Sequence, residues 1–444
     1  MKKMLGVLLA AVIFALGGCG RETQADPVET VVIPPVNMET DDQQEKEPDQ
    51  EEVSDREEIS DHSKTESDED QEQIVEHSQI ADAAEKGEHA DLSQRVEQKL
   101  AEMTLAEKVA QMFILTPESL TGYSQVTQAG PSTEQALEQY PVGGLVYFSA
   151  NLESAEQVKK MTAGQQQYAM KRIGLPLFLA IDEEGGAITR IASSGLFDVP
   201  SFEPMPQIGA SKDPDRAYEV GSTIGAYLDE LGFNLDFAPV ADVLTNDQNT
   251  VVKNRSFGTD PKLVSKMVRA QLRGLQDQGV YGCVKHFPGH GATTADTHAG
   301  YAYTDKTWEQ LRESELIPFA DAIGQGVSFL MVGHISLPAV TGSDEPASCS
   351  ETIIQEKLRD TMGYDGIVLT DGLKMKAITD HYTSAQMAVK FVQAGGDILL
   401  EPENFQAAYD GILQAVADGT ISEERIDESV RRILRIKLSI LEEE

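Results

Sequence analysis

Eight short apolar runs, each ending on a polar residue and followed by helical periodicity, constrain this chain more than any other feature. They fall at 112–115, 144–148, 177–181, 235–239, 280–285, 329–333, 366–369 and 397–400. Such runs are too continuous for strands with one face in water, and too short for helices. Apolar residues recur with helical spacing between them, for example over 216–231, 262–278, 308–323 and 384–394. A strand buried on both faces and followed by a helix is the unit of a parallel α/β fold. Eight such units predict a single (β/α)8 barrel of the TIM type. The alternative is an open doubly wound sheet, but no Gly-rich nucleotide turn follows the first strand.

In such a barrel the chemistry gathers where strands end and loops begin. The third strand exits at Asp182, the fourth at Asp242 and the fifth at Lys285 and His286. The sixth exits at His334, the seventh at Asp371 and the eighth at Glu401. Packing does not explain titratable residues at so many exits from apolar strands.

The fifth exit is the richest. The segment 285–298 reads Lys-His-Phe-Pro-Gly-His-Gly-Ala-Thr-Thr-Ala-Asp-Thr-His and holds three of the chain's eight histidines. Its Gly and Thr content predicts a strand running out into a long mobile loop. His286 and His290 have the spacing of paired metal ligands on a helix, but Pro288 and Gly289 between them forbid one, so no metal is expected. His290 is expected to tie the loop to its scaffold. Asp296 and His298 form an Asp-x-His pair, in which a carboxylate can orient an imidazole and stabilise its charged form.

This segment resembles the Lys-His-Phe-Pro-Gly-His-Gly-x4-Asp-Ser-His signature of family 3 glycoside hydrolases, in their bacterial β-N-acetylglucosaminidase branch. The resemblance implies that His298 is the general acid/base, that Asp296 is its partner, and that Lys285 and His286 contact the sugar. Thr297 stands where Ser is commoner. Residues 181–190 are similar to the family's Ile-Asp-x-Glu-Gly-Gly-x-Val-x-Arg motif, which makes Asp182 and Arg190 sugar-binding residues. Ala187 occupies a position where family members often carry Arg. The run 254–258, Asn-Arg-Ser-Phe-Gly, matches the pattern whose Arg binds sugar, here Arg255. Residues 369–375 resemble the nucleophile motif and assign that role to Asp371, with Gly372 in place of the usual Asp or Ala. Larger members carry an acid/base carboxylate on a second domain; with a single barrel in this sequence, His298 takes that work.

The barrel is expected to occupy residues 91–444. Thr104 and Glu107 stand at capping-box spacing ahead of an apolar helix that resembles the family's first. Residues 1–18 read as a signal peptide: Lys2 and Lys3, an apolar run over 4–16, then Leu-Gly-Gly before Cys19. That box resembles a bacterial lipoprotein cleavage site, which implies a lipidated Cys19 and the outer face of the cell membrane. Residues 20–90 carry 24 acidic against 5 basic side chains and no aromatic ones. A segment so charged cannot bury enough apolar surface to offset its ordering entropy, so 19–90 is expected to be a disordered tether or solubilising tail. The formal charge of −38 argues against nucleic acid or anionic lipid as a partner. Cys283 and Cys349, the remaining cysteines, make no disulfide framework.

Together these readings predict a monomeric, cofactor-free, retaining β-N-acetylglucosaminidase acting on carbohydrate, with cell-wall fragments as substrate by family analogy. A β-glucosidase or β-xylosidase on the same barrel is the alternative enzyme. A lipoprotein that binds sugar without turnover is the alternative of another class. An imidazole base does not repel an anion, so both water and phosphate are admissible acceptors.

Overall fold

The computed structural model describes residues 91–295 and 300–443. The signal segment, the acidic stretch, and Asp296 and His298 therefore lie outside the described residues. Eight parallel strands form the main sheet: β1 (Phe113–Leu115), β2 (Gly144–Tyr147), β3 (Phe178–Ile181), β4 (Leu235–Asp236), β5 (Tyr281–Phe287), β8 (Phe329–Val332), β10 (Ile367–Thr370) and β11 (Leu399–Leu400). Their order is β10-β8-β5-β4-β3-β2-β1-β11. A parallel bridge between Leu369 and Ile398 joins the two ends, and the Thr370 N–H donates to the Ile398 carbonyl at 3.0 Å. The sheet is thus the expected (β/α)8 barrel.

Each expected strand is present within a few residues of its expected ends. Helices cover the outside and side chains fill the inside, so almost every strand residue is buried. Phe178 and Phe329 meet edge to face across the interior, with centroids 5.2 Å apart. The helix Glu423–Glu443 brings the buried Lys437 to the opposite end of the barrel from the strand exits. Its ammonium donates to Gln111 Oε1 at 2.8 Å and the Gly143 carbonyl at 2.7 Å, over the ring of Phe178.

Helices Pro214–Glu230, Pro261–Gln276 and Ser384–Gln393 match their periodicity. The Thr104–Glu107 capping box forms as expected. One expected helix breaks in two: 308–323 is Trp308–Arg312 and Ile317–Gly324. Pro318 lacks the N–H that a continuous helix needs and would crowd the carbonyl of Ser314. The break also turns the fully buried Glu315 inward, where Thr245 and Lys306 each reach its Oε1 at 2.5 Å.

The described parts of the segment after β5 carry local structure, while residues 296–299 within it lie outside the described residues. A 3-10 turn spans His290–Ala292, and β6 (Thr294–Ala295) pairs antiparallel with β7 (Ala302–Tyr303). β7 in turn pairs with β9 (Ile335–Ser336), just beyond β8.

Candidate active site

The exit of β3 begins the site. Asp182 Oδ1 accepts from Lys285 Nζ at 2.8 Å, and its other oxygen from Arg190 at 3.1 Å. Burial would raise its pKa, but Lys285 and Arg190 outweigh burial and hold it at about 2. Glu184, two residues on, is nearly inaccessible and faces two cations. Arg255 grips it with Nε at 2.8 Å and an η nitrogen at 2.6 Å, while Lys285 Nζ lies 2.7 Å away. These bonds overcome the burial that would otherwise raise its pKa. Lys285 is likewise held above its ordinary pKa: burial opposes the charge, and Asp182 and Glu184 restore it.

Glu183 points the other way. It accepts the N–H groups of Arg190, Ile191 and Ala192 at 2.5–2.9 Å and the hydroxyl of Tyr227 at 2.9 Å. It thereby folds the β3 exit loop back on itself and carries Arg190 to Asp182.

β5 ends two residues beyond its expected limit, so Lys285 and His286 lie within the strand. His286 Nδ1 is 2.7 Å from Asp242 Oδ2, and a carboxylate only accepts, so Nδ1 carries the proton. Nε2 then faces Arg255 at 3.3 Å. Asp242 also accepts the His290 N–H at 2.5 Å, and burial lowers the His290 pKa. The His290 ring meets Thr293 Oγ1 at 3.0 Å within its own loop, and what ties that loop outward at this residue is Asn249, whose amide donates to the His290 carbonyl at 2.8 Å and lies 3.4 Å from its ring. Two motif glycines have steric reasons. Gly289 has φ +123°, and a Cβ on Gly291 would lie 2.0 Å from the Val243 carbonyl oxygen.

Asp371 stands directly after β10. Its Oδ1 accepts the Gly372 N–H at 2.7 Å. Burial would raise its pKa, but His286, His334, the Gly372 N–H and Lys285 together hold it below the ordinary value. His334 is buried, which lowers its own pKa; it lies 2.8 Å from Ser348 Oγ and 3.3 Å from the Gly372 carbonyl. Asp371 opens into a cavity of about 300 Å3 shared with Val251, His290, Tyr301, His334 and Met375. A cavity of about 550 Å3 at the other end of the barrel, beside Thr162 and Gly232, contains none of these groups. Among the described residues no cluster of three or more His, Cys, Asp or Glu is arranged to hold a metal.

The family model described as "Glycosyl hydrolase family 3 N terminal domain" matches residues 96–436. The chain belongs to glycosyl hydrolase family 3. Beta-hexosaminidase A of Pseudoalteromonas piscicida is 32% identical over 339 residues, 71% of this chain and 56% of that protein. Beta-hexosaminidase LpqI of Mycobacterium tuberculosis is 35% identical over 271 residues, 59% of this chain and 68% of that one. A family 3 beta-N-acetylglucosaminidase structure from Paenibacillus sp. is 39% identical with a TM-score of 0.71, over 77% of this chain and 64% of that chain. The present chain thus spans little more than half of the first of these relatives.

Asp182, Arg190, Arg255, Lys285 and His286 come together within this family 3 barrel as one hydrogen-bonded group, with Asp371 beside them. Asp296 and His298 are outside the described residues, and so are not located relative to that group. Three residues of the site went unassigned in sequence. Glu184 sits inside a quoted motif, and Asp242 and His334 were marked only as strand exits. Their partners are 71, 44 and 14 residues away, too far for local spacing to reveal.

Proposed function

We propose that this protein is a retaining, exo-acting β-N-acetylglucosaminidase that hydrolyses terminal non-reducing N-acetylhexosamine residues. One observation carries the reading: Asp371 is an ionised carboxylate at a barrel exit, facing a cavity, with its only side-chain hydrogen bond among the described residues coming from Gly372. Such a group can attack the anomeric carbon. The names of the relatives, two beta-hexosaminidases and a beta-N-acetylglucosaminidase, support the sugar.

In this mechanism Asp182 accepts hydrogen bonds from sugar hydroxyls, while Lys285, Arg190 and Arg255 donate to them and His286 offers Nε2. Because Glu184 and Asp242 already fix three of these side chains, little reorganisation accompanies binding. Asp371 displaces the leaving oxygen, which takes a proton from His298, oriented by Asp296. A covalent glycosyl-enzyme forms. His298 then draws a proton from water, whose oxygen replaces Asp371 at the same carbon. Two displacements give net retention. Fragments of the cell wall are the natural substrate proposed. The box before Cys19 supports export, lipidation and a place on the outer face of the membrane, and Cys19→Ser is expected to release the protein into the soluble fraction.

The test is a panel of aryl β-N-acetylglucosaminide, β-glucoside and β-xyloside, each with and without phosphate, with the product anomer read by NMR. Release of β-N-acetylglucosamine in water, with the other sugars slower, is expected. Preference for glucoside or xyloside, or an inverted product, overturns the assignment. A sugar-1-phosphate product replaces hydrolysis by phosphorolysis.

A further inference from the structure

Asp371 has unlike surroundings on its two sides, a polar group and a cavity. The polar group formed by Asp182, Arg190, Lys285, Glu184 and Arg255 contributes nothing to the cavity's lining; the two share Asp371 as a border. Large apolar side chains exposed to solvent are few among the described residues: Tyr123, Met170, Leu196, Val251 and Met375. Two of these five, Val251 at 52% and Met375 at 45% exposure, lie on this one cavity, together with Tyr301 and Ala377. Exposed apolar groups gathered at a cavity mark a surface that a ligand covers.

We propose that Val251, Tyr301 and Met375 form the leaving-group wall of the site, and that it takes an aglycone with an apolar face. This rests on the reading of Asp371 as nucleophile. The polar group holds the hydroxyl-bearing sugar on one side of Asp371, so the bond being broken points the departing group to the other side. The apolar face of a second pyranose or an aryl ring covers Val251 and Met375 there.

The experiment compares two donors of one sugar: 4-nitrophenyl β-N-acetylglucosaminide, whose ring fills the wall, and β-N-acetylglucosaminyl azide, whose small leaving group does not. Met375→Ala and Val251→Ala are measured beside the unaltered protein, with Met375→Leu as the shape-conserving control. The ratio of kcat/KM for aryl over azide is expected to fall roughly tenfold in Met375→Ala, the low end for a lost apolar contact. Met375→Leu should restore most of it. Val251 and Met375 are half exposed, so thermal melting should stay near that of the parent. An unchanged ratio in an active protein overturns the wall, as does an equal loss on both donors, which would place the sugar's own acetamide there. No sugar release by the unaltered protein from any donor overturns the catalytic reading itself.

Discussion

Glu184→Gln removes the one charge that joins Lys285 to Arg255. The carboxylate accepts three charged hydrogen bonds at 2.6–2.8 Å, and its side chain is 2% exposed. Gln keeps the shape but has one acceptor oxygen, and its amide N–H groups would face cationic donors. Arg255 then loses its only carboxylate partner among the described residues, and Lys285 is left with Asp182. Removing one partner from a buried charge network costs about 3–5 kcal/mol, and the conserved shape places this case near 3 kcal/mol. For a barrel of this size, that lowers Tm by about 4 °C. The kinetic effect comes from displaced Arg255 and Lys285, and a misplacement of about 1 Å is worth roughly 100-fold in rate. Calorimetry and kcat/KM on an aryl β-N-acetylglucosaminide measure the two effects. A variant within 1 °C of the parent and within twofold in kcat/KM would refute the view that Glu184 holds the sugar-binding cations in place.

Asp371→Asn should retain the fold and lose nearly all turnover, since no covalent intermediate can form; a folded variant keeping a tenth of the activity reassigns the nucleophile. His298→Ala should slow disaccharide cleavage by about 10²–10⁴-fold and glycosyl-enzyme formation from a nitrophenyl glycoside far less, because an acidic phenol departs without a proton. Equal losses in kcat/KM on both substrates remove His298 from the acid role. Stability should fall with acid in two stages. His290 and His334 have lowered folded pKa values, so the unfolded state takes up protons first and loss begins as pH falls through about 6.5. Asp182, depressed from 3.8 to about 2, contributes about 2 kcal/mol that is full above pH ~4 and lost as pH falls through 2. An Asp182→Asn variant with an unaltered Tm profile between pH 5 and 2 would contradict the second stage.

The barrel was legible because burial on both faces makes most strand residues apolar, so the strands read as apolar runs; exceptions include Asp236 in β4 and Lys285 and His286 in β5, each with charged or backbone partners inside the barrel. The helix over 308–323 misled because apolar periodicity continues through Glu315. Pro318 was the local signal against it, and the demand of Thr245 and Lys306 for the Glu315 carboxylate lies outside the segment. The sugar-binding residues were legible only through motif resemblance; no spacing rule connects Lys285 to Asp182 across 103 positions. Glu184 is the instructive omission. It carries charge in a motif already singled out, but its role follows from two cations that folding brings to it. In the loop after β5, the close backbone contact of Gly291 with Val243 and the positive φ of Gly289 were not legible, because the sequence does not show what their backbones approach.

Seven carboxylates among the described residues lie at the strand ends, and their partners sort them. Asp182 and Glu184 are ionised but spent on Lys285, Arg190 and Arg255. Asp242 is spent on His286 and the His290 N–H. Glu183 is surrounded by three backbone N–H groups and Tyr227. Asp236 is fully buried inside the barrel, and desolvation pushes its carboxyl well above the ordinary range, toward the neutral form. Glu401 is also raised by burial, and its nearest cation is Lys374 at 3.3 Å. Asp371 differs from all six in being held ionised while one of its oxygens accepts no hydrogen bond from the described residues. No Lys or Arg forms an ion pair with it among the described residues, and it is kept ionised by imidazoles, a backbone N–H and the more distant Lys285. A direct ion pair would stabilise the charge but occupy the lone pair that must attack. Stabilisation by surrounding groups, none of them a bonded cation, keeps the carboxylate charged and leaves an oxygen free, which is the combination a nucleophile requires.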